Sequence, residues 1–408
     1  MNWSRPAHGM ALVVAGVAGS AGAARAFDAR NLLAYQWGPV TIRTSLEVTE
    51  QFNDNIYYRS SARRTSDLIT SITPGIDLSL GTPYSKHYLS LGYEFHQNFY
   101  QKRSDVNYSD HSLSFNLRLT GYRVSLQGSD QIELQNSVMG GGLNPLVLGE
   151  SANVERITFS DSYQVSYSFT DKINGHIGLS HGRTDYESGT WLYDSTSLRG
   201  TLGATYKPRT RMTFVSEVYY GKTMSEPNHP LQWPAPDMNS LGTFVGVSEV
   251  FLNRITGTVR VGYEVRQFEG RSGSKGDPVV NASLGYRFSE RLRGTLSYAR
   301  STSVSAQSPD SSYASDNLSL ALNRTLGPTG KIMVSGGGTL RISQYDGGSV
   351  VYGDRTDNQW TAFLDVSYRF QPWLSTGLRY EYELFNSSSK AIIDYDVNRI
   401  TLRLGIGF

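Results

Sequence analysis

Apolar and polar residues alternate one by one along most of this chain. In the last segment Ile400, Leu402, Leu404, Ile406 and Phe408 are apolar, and Arg399, Thr401, Arg403, Gly405 and Gly407 separate them. Side chains of an extended strand point alternately to its two faces, so this spacing predicts a strand with one apolar and one polar side. Leu364, Val366, Tyr368 and Phe370 repeat the pattern against Asp365, Ser367 and Arg369. Val259, Val261, Tyr263 and Val265 do so against Arg260, Gly262 and Glu264, and Leu113 to Leu119 against Ser114, Asn116 and Arg118. No helical periodicity interrupts the series. A soluble sandwich also alternates, so the period alone does not decide the fold.

The connections carry the second signal. Tight polar turns at 81–85, 120–123, 170–172, 207–210, 252–254, 289–291, 327–331 and 371–373 take turns with longer segments such as 136–151, 222–237, 269–277 and 301–312. Short turns at one end and long loops at the other are the layout of outer-membrane barrels, the short ones periplasmic. Counting between these marks gives about 18 strands, or 16 if a hairpin is miscounted, both even as such barrels require. The predicted fold is all-β, a transmembrane up-and-down antiparallel β-barrel. Closure follows from the solvent, because an open sheet edge in hydrocarbon would leave backbone groups unpaired.

The N-terminus departs from the pattern. Arg5 precedes a short apolar run from Ala11 to Gly19, and Ala24-Arg25-Ala26 has the small-x-small form of a signal-peptidase site. Residues 1–26 therefore read as a cleavable signal peptide and 27–408 as the barrel, with Phe27 to Pro39 a short lead-in. Only 38% of the chain is hydrophobic, which a barrel tolerates because every second strand residue can be polar. The 26 Tyr and 41 Gly suit aromatic girdles and turns, and with no Cys a lipid-modified N-terminus is excluded. Removing Arg5 and Arg25 leaves 36 basic residues against 36 acidic ones, so charge gives nucleic-acid binding no support.

After the first strand, Phe52-Asn53-Asp54-Asn55-Ile56-Tyr57-Tyr58 resembles a short motif of a bacterial outer-membrane family called putative β-barrel porin 2. Its members show an aromatic, an Asp/Asn-rich pair, Asn, then Ile or Val, and run as one barrel to a C-terminal aromatic. The resemblance implies a location in the cell outer membrane and recognition of Phe408 by the barrel-insertion machinery. Some members accompany exopolysaccharide export, so it also implies a link to polysaccharide.

Parity sends eleven arginines inward, Arg43, Arg118, Arg123, Arg199, Arg260, Arg266, Arg287, Arg293, Arg369, Arg379 and Arg403. Eight acids accompany them: Glu47, Asp77, Glu94, Glu217, Glu264, Asp365, Glu381 and Glu383. All but Arg199 and Arg293 of the arginines, with Glu381, are candidate channel-lining residues. One reading is a wall stiffened by cross-strand pairs; the other is a bias of the passage towards anions or acidic sugars. Trp191, Trp233 and Tyr345 are candidate glycan-stacking aromatics in or beside long loops, against the commoner role of girdle residues. The six His beyond residue 26 are scattered without zinc spacing, and His176 and His181 fall on opposite strand faces. No catalytic triad, cofactor motif or metal site is expected. The expected function is an outer-membrane channel for polar or anionic solutes, with exopolysaccharide export as an extension. The alternative is a surface barrel whose loops bind a partner or glycan.

Overall fold

The computed structural model describes residues 33–137, 154–187, 190, 192–232, 234–251, 254–270, 273–305, 312–345, 354–389 and 394–407. The expected signal peptide, Trp191, Trp233 and Phe408 lie outside them. A four-residue strand, β1 (Ala34–Trp37), precedes β2 (Val40–Asn53), and seventeen further strands follow to β19 (Tyr395–Ile406). Each pairs antiparallel with its neighbour in sequence, and β19 returns to β2 with Ile406 opposite Leu46 and Arg399 opposite Asn53. Eighteen strands, β2 to β19, thus close the wall. Part of the short lead-in is β1, hydrogen-bonded to Val40–Arg43 just below the stretch of β2 that β19 occupies.

Turns of two to six residues alternate with connections of six to sixteen, so all the shorter ones meet at one end. Near that end three strands finish in Tyr-x-Phe. Tyr167 and Phe169, Tyr286 and Phe288, and Tyr368 and Phe370 each make an edge-to-face pair at 4.5–4.9 Å. Such pairs form an interfacial girdle. The alternation is confirmed where it was clearest: Ile400, Leu402 and Leu404 are 44–54% exposed on the outer wall.

The Asn-rich motif welds the seam at the long-loop end. Asn55 is fully buried and donates from Nδ2 to the carbonyls of Arg59 and Asp396, while its Oδ1 accepts from the Arg59 N–H. Asp54 accepts from the backbone and side-chain amides of Asn398 and from Arg64, and Arg64 also binds Asp396. First and last strands are thereby tied by side chains as well as by sheet bonds.

The wall splits in one place. β13 (Lys275–Arg287) pairs with β14 (Leu292–Val304) only from Val280 to Arg287. Above that, Lys275–Val279 keep β12 (Ile255–Phe268) alone and Ser301–Val304 keep β15 (Ser312–Leu326) alone. Thr302 then reaches across β13 to hydrogen-bond Glu264 on the inner face of β12. The upper β14–β15 hairpin has therefore turned into the lumen. Pro278 lies in the abandoned stretch of β13, where it has no N–H to offer a neighbour. Pro74 in β3 (Asp67–Leu80) marks a similar two-residue lapse in pairing with β4 (His87–Tyr100).

Candidate functional site

Polar side chains of one parity converge on the lumen, and most of the charged ones meet there. Arg43 faces Asp77 at 3.5 Å, Arg260 faces Glu217 at 3.7 Å, and Arg403 stands 3.5 Å from Asp365 and 3.9 Å from Glu47. Arg379 binds Glu381 at 2.6 Å while stacking over Phe363. On β10 (Met212–Pro227), Glu217 also lies 3.4 Å from His176 of β8 (Ile173–Tyr186). The chain His176–Glu217–Arg260 spans five strands because the positions it crosses carry no side chain. A β-carbon at Gly203 would stand 2.4 Å from the His176 ring, and one at Gly246 would stand 2.7 Å from Arg260.

Two expected lining residues sit differently, and one glycan-stacking candidate faces the interior. Arg123 occupies the β5–β6 turn, with its guanidinium over Tyr122, because the strand ends before reaching it. Arg266 has the inward parity but is only 2% exposed, bound to Asp277 and sealed where β14 folds over β12. Tyr345, expected in or beside a long loop, ends β16 (Ile332–Tyr345) next to one and lines an interior cavity. Of the others, Arg118 lines the lumen and donates to the Pro83 carbonyl. Arg369 lines a cavity of about 700 Å³ near the short-turn end with Glu47, Glu94 and Arg403. Arg287 directly faces Arg293 across β13 and β14.

The larger cavity, about 790 Å³, opens on the other side of the inward hairpin towards the long loops. Ser301, Ser303, Ser315 and Ser343 line it with Asn317, Gln51 and Gln359, and Tyr58, Tyr313, Tyr345 and Phe385 supply ring faces. Tyr313 stacks on Tyr345 at 4.6 Å, and Arg355 covers that ring at 4.0 Å. The principal ions here satisfy one another. Arg399 lies 2.7 Å from Glu381 and 3.0 Å from Glu383, and it donates to the Tyr58 oxygen at 3.1 Å. Burial pushes the Tyr58 phenol up, against the pull of that guanidinium, so it stays neutral and can donate. A second cleft of about 340 Å³ lies between the free side of β14 and the β8–β12 wall, lined by Ser195, Ser197, Ser225, Ser240, Arg199 and Glu264 among others.

Residues 34–408 match the family described as "Putative beta-barrel porin 2". The chain belongs to this family. It is accordingly an outer-membrane β-barrel of porin type and not an enzyme. No curated protein matches it. Among solved structures it is similar to several proteins of Pseudomonas aeruginosa. One is OpdO, at 12% identity and a TM-score of 0.47, covering 90% of this chain and 97% of that one. OccK2 (OpdF), solved in complex with glucuronate, gives 10% and 0.48 over 90% and 98%. OpdL gives 13% and 0.47 over 91% and 100%.

Within this porin, Arg341 and Arg399 line the large cavity although neither entered the inward arginine count from sequence. Strict parity from the apolar Leu340 and Ile400 would have found both. The serines went unnoticed because hydroxyl residues look like turn formers when strand ends are unknown.

Proposed function

We propose that this porin passes small polar solutes rich in hydroxyl groups, and that its lumen discriminates weakly by charge. The observation that carries this is the 790 Å³ cavity, whose lining is richest in serine hydroxyls and side-chain amides, where Arg399, Glu381 and Glu383 bind one another and Arg341 stands outside that network. Paired ions leave little net field for a permeating anion, whereas hydroxyls and amides exchange readily for a solute's hydration shell. Ring faces such as Tyr345 would stack on the apolar face of a sugar. The Arg287–Arg293 pair and Arg369 keep a basic element near the short-turn mouth, which supports a modest anion preference there. Export behind a signal at 1–26 belongs to this reading. So does the longer step to an extruded exopolysaccharide, which the same hydroxyl lining would accommodate.

Planar-bilayer recordings test it. The expected result is an ohmic conductance, a small reversal potential under a salt gradient, and current block by neutral oligosaccharides that weakens in Tyr345→Ala. A strong anion selectivity lost on replacing Arg118, Arg260 and Arg379 by Gln would favour the arginine-driven reading instead. Insertion without conductance would favour a surface barrel.

A further inference from the structure

The outer wall should be apolar between its girdles, and on three adjacent strands it is not. β6 (Val124–Ser137) turns Val124, Leu126, Ile132 and Leu134 outward, and β7 (Val154–Ser168) turns Val165, Phe159 and Ile157 outward. Between them on the same face stand Asp130 and Asp161, directly opposite each other, and His181 of β8 lies opposite Asp161. The Tyr163 hydroxyl donates to Asp130 at 2.6 Å, and His181 Nδ1 lies 2.8 Å from Asp161. These bonds engage one oxygen of each carboxylate. Asp161 and His181 still show 33% and 37% of their side-chain surface, and Arg183, paired with Asp185, follows His181 on the outer face.

Depth makes this costly in lipid. Asp161 lies six residues above the girdle residue Tyr167 on the same strand. With a rise of about 3.3 Å per residue and a tilt of roughly 40°, that is about 15 Å into an apolar band about 25 Å tall. An ionisable group at such a depth normally faces protein rather than acyl chains.

We infer that the β6–β8 wall is an interface with a second copy of this chain. The patch is self-complementary, with acids on β6 and β7 and bases on β8. A two-fold axis along the membrane normal, passing between β7 and β8, sets Asp161 of each copy against His181 of the other. Such an isologous contact closes on itself as a dimer. The remaining carboxylate oxygens gain donors, and apolar neighbours such as Leu179 and Val165 pack around them.

The chain contains no cysteine, so single introduced thiols report without background. In isolated outer membranes a short bis-maleimide should link Leu179→Cys into a species of twice the monomer mass. Leu364→Cys, on β17 across the barrel, should stay monomeric. Adding Asp161→Leu and His181→Leu to Leu179→Cys should abolish the linked species while the heat-modifiable mobility of the folded barrel persists. The inference is overturned if Leu179→Cys gives no dimer or an adduct of another mass. It is equally overturned if Leu364→Cys links as well, or if the double leucine variant still cross-links.

Discussion

Two glycines three positions apart on β9 (Tyr193–Arg209) separate what the two faces of the wall tolerate. Gly200 faces outward with open space where a β-carbon would stand, whereas one at Gly203 would meet both His176 and Glu217 within 2.8 Å. Gly203→Ala should therefore lower stability by about 1–3 kcal/mol through overpacking, and Gly200→Ala should leave it nearly unchanged. Urea unfolding of the two variants in lipid vesicles makes the comparison, and equal midpoints would refute it. Charge separates the faces in the same way. Ile400→Arg, midway along β19 on the lipid side, should cost about 2–4 kcal/mol, while Thr361→Arg, inward and opposite Glu383, should cost less than about 1 kcal/mol. Parity made both faces legible residue by residue, and it placed Arg43, Arg118, Arg260, Arg379 and Arg403 on the inner wall. It failed for Arg123, whose strand ends too early, and though it gave the right face for Arg266 it could not show the burial, which depends on a neighbouring hairpin leaving the wall.

At the scale of the element, that hairpin was the least legible feature. Alternation in β14 holds through Leu296 and Tyr298, and then Ser301, Thr302 and Ser303 are polar on both faces. A segment that no longer prefers one side has no reason to remain in a wall with oil on one side. The loss of two-sidedness, together with Pro278 on the neighbouring strand, was the available signal. Its meaning required the pairing register, which sequence does not contain. If Pro278 and the Thr302–Glu264 bond hold the hairpin inward, the double variant Pro278→Val/Thr302→Val should let β14 re-pair with β13 and widen the lumen. Single-channel conductance should rise above wild type, whereas Pro74→Val should not change it. An unchanged double variant would mean that other contacts fix the hairpin.

For the whole molecule, an even strand count and the segregation of connection lengths followed from hydropathy and turn chemistry, because a membrane imposes both. Closure did not, since it joins residues some 350 positions apart. Asn55 anchors that junction, and Asn55→Ala would leave the carbonyls of Arg59 and Asp396 without their donor. Because buried polar groups then lose their partners, the expected cost is about 1–3 kcal/mol, read as a lower temperature for loss of the heat-modifiable folded form. An epitope inserted within 138–153 should be reached on intact cells and one at 210–211 should not; the reverse would invert the orientation.

β1 gives the assembled wall a means of proofreading. A last strand seeking its partner could settle two or four residues out of step along β2 and still keep its apolar face outward, since parity forgives even slips. Sliding β19 four residues towards the short-turn end would bring Ile406 onto Ile42, where Tyr35 already sits. The short strand thus works as a doorstop, admitting the final strand only as far as Leu46. Deleting Ala34–Trp37 should yield a mixture of slipped barrels, separable as a smear of folded mobilities where the intact chain gives one band.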